Sequence, residues 1–208
     1  MEIFLSRPTW VLSEFEEGLK IFILCLENME LIPRTLGASD YPSKSPLDEV
    51  IEIMSQCSGA IILGYPQITI EQGRLKNIEI KPSMSLSTEW NHIEAALAYS
   101  QSLPILVVHH NTVSRGIFDR GVMNAFVHKV DMEIPSWSMN KAFSGALKKW
   151  KENCISGNSN FPGRSPKTFD ENICPNCSTA SKLIYMSKLS GAFKDFGDWH
   201  CPKCEYMK

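Results

Sequence analysis

Surplus positive charge is absent from this chain: 21 lysines and arginines stand against 23 aspartates and glutamates, a formal net charge of −2. A protein whose main work is gripping phosphodiester backbones carries a basic excess, so nucleic acid is not the expected partner. No stretch is both long and uncharged enough to cross a bilayer, so no membrane partner is expected. The opening Met1-Glu2-Ile3-Phe4-Leu5-Ser6-Arg7-Pro8 has an acidic second residue and too short an apolar run for a signal peptide. Internal repeats and low-complexity tracts are missing as well. With 43% hydrophobic and 21% charged residues, the chain has the composition of a globular protein rather than a disordered one.

Cysteine is present in a telling pattern. Of the 7 cysteines, Cys174 and Cys177, and Cys201 and Cys204, form two Cys-x-x-Cys pairs, each with proline inside. Two such knuckles supply the thiolates of a tetrahedral zinc site, and filling every position with cysteine leaves none open for Lewis-acid chemistry. A structural zinc ribbon is the expectation; a redox dithiol is the alternative. Leu183 to Met186 and Asp198 to His200 supply its strands. The scattered Cys25 and Cys57 read as core, and metal-binding rather than disulfide spacing implies a reducing cytoplasm.

Along the rest of the chain, apolar runs of strand length alternate with helical periodicity. Ile3 to Ser6 is a short strand stopped by Arg7-Pro8. A helix follows, with Ser13 and Glu16 at capping-box spacing and a stripe of Phe15, Leu19, Phe22, Ile23 and Leu26. Leu31 to Leu36 reads as a strand. Ser45-Pro46-Leu47-Asp48 opens a second helix with Val50, Ile51, Met54 and Cys57 on one face. Ala60 to Gly64 and Pro104 to His110 read as buried strands of a parallel sheet, flanking a helix over Ser87 to Leu103. The stretch from Tyr65-Pro66 to Leu86 is longer than a mere connection and is a candidate lid or binding loop. Arg115 to Asn124 reads as irregular, Ala125 to Met132 as a last strand, and Ser136 to Trp150 as a last helix bearing Met139, Phe143, Ala146, Leu147 and Trp150.

This alternation predicts an α/β fold, a doubly wound, flavodoxin-like parallel sheet of about five strands. It also predicts three regions: an α/β domain over 1–153, a linker over 154–172 rich in Ser, Gly, Asn and Pro, and the zinc ribbon over 173–208. Ligands of such sheets sit beyond the carboxyl ends of the strands, which directs attention to Ser6 to Thr9, Gly64 to Gln67 and His109 to Arg115.

In the third helix, Trp90, Ile93 and Leu97 form the expected apolar stripe, which puts Glu94 at its edge near Trp90 and Asn91. A half-buried carboxylate beside an indole has a raised pKa and suits acid/base work or the stabilisation of a cationic state. The plain alternative is a surface glutamate. His109-His110 are not expected to share a metal ion, because adjacent strand residues point to opposite faces.

Three segments in this order carry a resemblance: Ile3-Phe4-Leu5-Ser6-Arg7-Pro8, the strand Ala60 to Gly64 after Ser55-Gln56-Cys57-Ser58, and Glu94-Ala95-Ala96-Leu97-Ala98 before Leu103-Pro104-Ile105. Over about Met1 to Trp150 the chain resembles nucleoside 2-deoxyribosyltransferases and their relatives, the Toll/interleukin-1-receptor-like (TIR-like) NAD-cleaving domains. The resemblance implies that Glu94 acts at the anomeric carbon of a ribosyl unit. It places Ser6 and Arg7 in the nucleotide loop, where an arginine pairs with phosphates or stacks on a base. Tyr65, Trp90, Asn91 and Arg115 are further substrate-binding candidates, and Asp119 is a candidate second carboxylate. The deoxyribosyltransferases usually carry an acidic residue right after the third strand, where this chain has Tyr65-Pro66, so the implied chemistry leans toward hydrolysis or cyclisation of NAD or a related nucleotide. Bacterial members of the NAD-cleaving group often serve antiviral defence, and such relatives often complete their sites across subunits, which implies a homo-oligomer.

Two other classes remain open on sequence. One is a binding module that recognises a nucleotide signal without turnover. The other is an adaptor that contacts partners through the zinc ribbon.

Overall fold

The structure, a computed structural model, describes residues 1–157 except 42, 82, 120, 123, 124 and 126, and the backbone of residues 184–186 and 198–200. The linker beyond residue 157 and the four cysteines Cys174, Cys177, Cys201 and Cys204 lie outside the described residues. Two compact units divide the chain, Met1–Pro162 and Gly163–Lys208.

In the first unit the strands are β1 (Glu2–Ser6), β2 (Ile32–Arg34), β3 (Ala60–Gly64), β4 (Ile68–Ile70), β5 (Arg74–Leu75), β6 (Ile78–Glu79), β7 (Met84–Leu86), β8 (Ile105–His110) and β9 (Val127–Val130). The helices are α1 (Ser13–Asn28), α2 (Pro46–Gln56), α3 (Glu89–Ser100) and α4 (Lys141–Ser156). Five of the strands pair in parallel in the order β2-β1-β3-β8-β9. Counted along the chain this is the 2-1-3-4-5 order of flavodoxin-like sheets, with its switch point between β1 and β3.

Alternation along each strand sorts side chains onto two faces. Ile3 and Leu5 of β1, with Ile61 and Leu63 of β3 and Leu106 and Val108 of β8, pack against α1 and α4. Phe4, Ile62 and Val107 face the other way, onto Val50, Ile53 and Met54 of α2 and Ala95 and Ala98 of α3. Covering both faces explains why β3 is buried along its whole length and reads as a continuous apolar run.

Local details differ from the sequence expectation. No capping box opens α1: Leu12 is the N-cap and makes no side-chain hydrogen bond, while Ser13 is already helical. By contrast Ser45 caps α2 as expected, its hydroxyl accepting from Asp48 N at 3.4 Å, with Pro46 at the first helical position. On α2 it is Ile53 rather than Ile51 that is buried. The last helix begins at Lys141, because Trp137–Met139 forms a separate 3₁₀ turn that leaves Met139 exposed. It runs on to Ser156 and ends at Gly157, whose φ of 65° suits a residue without a side chain. Cys154 is therefore a buried helix residue rather than the start of a linker.

The long stretch after β3 is not irregular. β4 pairs antiparallel with β7 and β5 with β6, making nested ribbons between β3 and α3. In the second unit, β10 (Ile184–Met186) pairs antiparallel with β11 (Asp198–His200), joining the two segments expected to be the ribbon's strands.

Candidate functional site

β1 ends at Ser6 and β3 at Gly64, the two strands that flank the switch point. α3 starts immediately above them. Thr88 is its N-cap, accepting from Asn91 N at 3.2 Å and donating to Asn91 Oδ1 at 2.9 Å. With the amide oxygen so engaged, Asn91 Nδ2 donates to Ser6 Oγ at 2.8 Å and to the Leu63 carbonyl at 3.3 Å. One buried amide thus ties the helix to the ends of both strands. Gly64 belongs to the same junction: a Cβ there would stand 2.5 Å from Phe118 Cε1 and 2.8 Å from His109 Cβ, so close packing requires glycine.

One helical turn further on is Glu94, the only buried carboxylate among the described residues, 8% exposed. Burial pushes its carboxyl up from the ordinary 4.5 to about 7, against a smaller opposing effect of the Ser6 hydroxyl, which favours the ionised form. It lines a cavity of ≈ 370 Å³ together with Arg7, Trp10, Gln67, Thr88 and Trp90. A larger recess of ≈ 610 Å³ beside β9 and the Trp137 turn contains no buried carboxylate. Size favours the larger recess, but chemistry favours the smaller.

Arg7 is partly buried; its Nη1 donates to the Pro8 carbonyl at 3.2 Å, and its buried Nε has no partner among the described residues. Desolvation lowers its pKa, and the neighbouring Tyr65 opposes that shift. A guanidinium with spare donors at a cavity wall is suited to an anionic or planar ligand group.

Of the residues singled out by sequence, the structure brings Ser6, Arg7, Trp90, Asn91 and Glu94 to one place. Three others fall elsewhere. Tyr65 is fully buried in the core on the α1 side, its ring 5.5 Å from that of Phe15, and burial raises the pKa of its phenol; it offers no face to a ligand. Arg115 and Asp119 are exposed and do not line the cavity; Asp119 Oδ1 accepts from Arg115 N at 3.0 Å, capping its own turn rather than facing Glu94.

The expected stripe on α3 is also reversed. Trp90 and Ile93 are 42% and 41% exposed, and the buried face is Asn91, Glu94, Ala95 and Ala98. Small alanines let α3 approach the sheet closely, which moves Glu94 from the edge of the buried face to its middle and turns Trp90 outward to the cavity rim. Gln67 lines the cavity at the end of the Gly64 to Gln67 segment where a ligand is expected, whereas Trp10 and Thr88 were not singled out by the sequence. Thr88 had a signal, three residues before Asn91 at the start of a helical pattern. Gln67 lies just before β4, its N–H donating to the Leu86 carbonyl at 2.8 Å at the open end of the β4–β7 ribbon.

No protein-family model matches this chain, and no curated protein is similar to it. One solved structure that is similar is a Clostridium botulinum CMP N-glycosidase, 14% identical, with a TM-score of 0.44 over 68% of this chain and 97% of that chain. At that identity and overlap the likeness carries no chemistry across to this protein. Among the described residues no helix is long and apolar enough to cross a membrane.

Proposed function

We propose that this protein cleaves or rearranges the N-glycosidic bond of NAD or a related nucleotide, with Glu94 acting at the sugar. The observation that carries the reading is a lone carboxylate, 8% exposed, set in a ≈ 370 Å³ cavity at the switch point of a doubly wound sheet. That volume falls in the range of small-ligand sites.

When the base leaves with the bonding electron pair, positive charge develops on the ribose ring. A fixed anion held out of water stabilises that charge more than bulk solvent does. Glu94 in its ionised form either provides that field or bonds to the anomeric carbon, and water or an internal hydroxyl then completes hydrolysis or cyclisation. Asn91 holds α3, and with it Glu94, against the ends of β1 and β3. Trp90 and Trp10 present indole surface at the same cavity for a base to stack on, and Arg7 presents cationic donors for phosphate.

The test is incubation of concentrated full-length protein with NAD and a panel of nucleosides and nucleotides, with products resolved by chromatography and mass spectrometry beside Glu94→Gln. Release of nicotinamide or a free base by the wild type alone supports the reading. Ligand bound by both proteins with no product from either makes the site a nucleotide sensor and sinks the enzyme reading.

A further inference from the structure

On the opposite face of the sheet, three groups converge that the Glu94 site does not use. His110, the last residue of β8, is buried, its side chain 5% exposed, with its ring 5.3 Å from that of Phe15. The parallel register pairs His110 with Val130, the last residue of β9, so the chain delivers Asp131 and then Glu133 just beyond the end of the ladder. His110 Nε2 lies 3.7 Å from Asp131 Oδ1 and 3.8 Å from Glu133 Oε1, and it has no hydrogen-bond partner among the described residues. Glu133 N donates to Asp131 Oδ1 at 3.1 Å, which shapes the turn that carries both carboxylates.

These spans are too long for hydrogen bonds and the right length for something else. Two donors each about 2.1 Å from one ion can stand up to about 4.2 Å apart, and spans of 3.7 and 3.8 Å correspond to ligand–ion–ligand angles of roughly 120°. All the donor atoms lie within 4.8 Å of one another. The carboxylates are 44% and 62% exposed, so they can rotate to close the remaining gap, while the buried imidazole is fixed. His110 Nδ1 lies 2.8 Å from Thr112 Oγ1; donating its proton there leaves the Nε2 lone pair aimed at the carboxylates, the orientation a metal-ligating histidine needs. A contact from Thr112 N to Nδ1, at 3.4 Å, is the weaker of the two. Glu14, at the start of α1, adds negative charge on the same side.

We infer that His110, Asp131 and Glu133 form a divalent-cation site of the manganese or zinc class, completed by water on its open side. The ion ties the turn after β9 to the end of β8. One imidazole and two carboxylates suit a borderline-to-hard cation, and the hard oxygen donors let manganese be the probe. The site stands on different residues from the proposed glycosidic chemistry, so either can fail without the other.

The experiment uses the full chain, given one equivalent of zinc so that the cysteine thiolates, the tighter ligands, are filled first, and then titrated with Mn2+ while the free-ion electron paramagnetic resonance signal is followed. Expected is one bound Mn2+ per chain, with paramagnetic broadening of the His110 imidazole signals. Asp131→Asn and Glu133→Gln each alter exposed side chains that leave the fold intact and each weakens binding at least about tenfold. His110→Ala opens the core, so it serves only as a supporting variant, judged after its thermal unfolding is compared with wild type. No loss of the free Mn2+ signal at millimolar ion, or a loss that both carboxylate variants retain in full, overturns the site.

Discussion

Asn91 Nδ2 donates a 2.8 Å hydrogen bond to Ser6 Oγ, joining residues 85 positions apart in a place where neither reaches water. The same amide nitrogen reaches the Leu63 carbonyl at 3.3 Å, so the start of α3 is fastened to β1 and β3 at the switch point. The carboxylate of Glu94 owes its position to this fastening as much as to the helix that bears it.

Asn91→Ala removes that junction and leaves buried polar groups without their donor. The expected loss of stability is about 1–3 kcal/mol, read as a lower urea midpoint with an unchanged slope. A midpoint equal to wild type would mean that the junction does not hold α3.

Glu94 couples stability to pH, and the sign follows from its raised pKa. The carboxyl titrates near 4.5 when unfolded and near about 7 when folded. Between those values the unfolded chain has released a proton that the folded chain keeps, so stability falls as pH rises through that window and stays lower above it. Glu94→Gln is expected to be the more stable protein near pH 8, by up to about 3 kcal/mol, with the difference vanishing near pH 4. Denaturant unfolding at both pH values checks it. Under the proposed chemistry, wild-type turnover rises with pH, is half-maximal near about 7 and levels off about one unit above, because the ionised form is the active one.

Trp90 is a rim residue, 42% exposed, so truncating it costs the fold little. Trp90→Ala is expected to unfold within about 1 kcal/mol of wild type but to bind nucleotide about tenfold more weakly, since a stacking face is worth about 1–3 kcal/mol. Calorimetric titration beside a thermal melt separates the two effects. Unchanged affinity would remove Trp90 from the binding surface.

For the second unit we propose a structural zinc held by Cys174, Cys177, Cys201 and Cys204. Elemental analysis is expected to find at least about one zinc per chain in the wild type and less in Cys177→Ser. Chelation is expected to abolish protection of the β10–β11 amides in hydrogen exchange while leaving the β3–β8 amides protected, because so short a segment depends on metal for its fold. Zinc-free protein with both sets protected would refute a metal-dependent ribbon.

The alternation of apolar strands with helical periods was enough to give the layered parallel sheet, because covering a sheet on both faces requires continuous apolar strands such as Ala60–Gly64. The strand pair of the second unit was legible in the same way. Local patterning was also enough to put Glu94 on the third helix, after the strand that ends at Gly64 and before the one that begins at Ile105.

It could not choose the buried face of that helix. Positions 90, 93 and 97 and positions 91, 94, 95 and 98 both recur at helical spacing, and the larger apolar residues favour the first set. The sheet decided for the second, because Ala95 and Ala98 admit a close approach that Trp90 and Ile93 would block. Nor could spacing show that Asp119 turns back on Arg115, or that His110 meets Asp131 and Glu133. The sequence by itself determined the order of the sheet strands and main helices, since that follows from local periodicity, but not the β4–β7 ribbons or the ends of α1 and α4. Which side chains share a cavity was decided only by tertiary structure, since that depends on the register of β1, β3, β8 and β9 and on how closely α3 settles onto them.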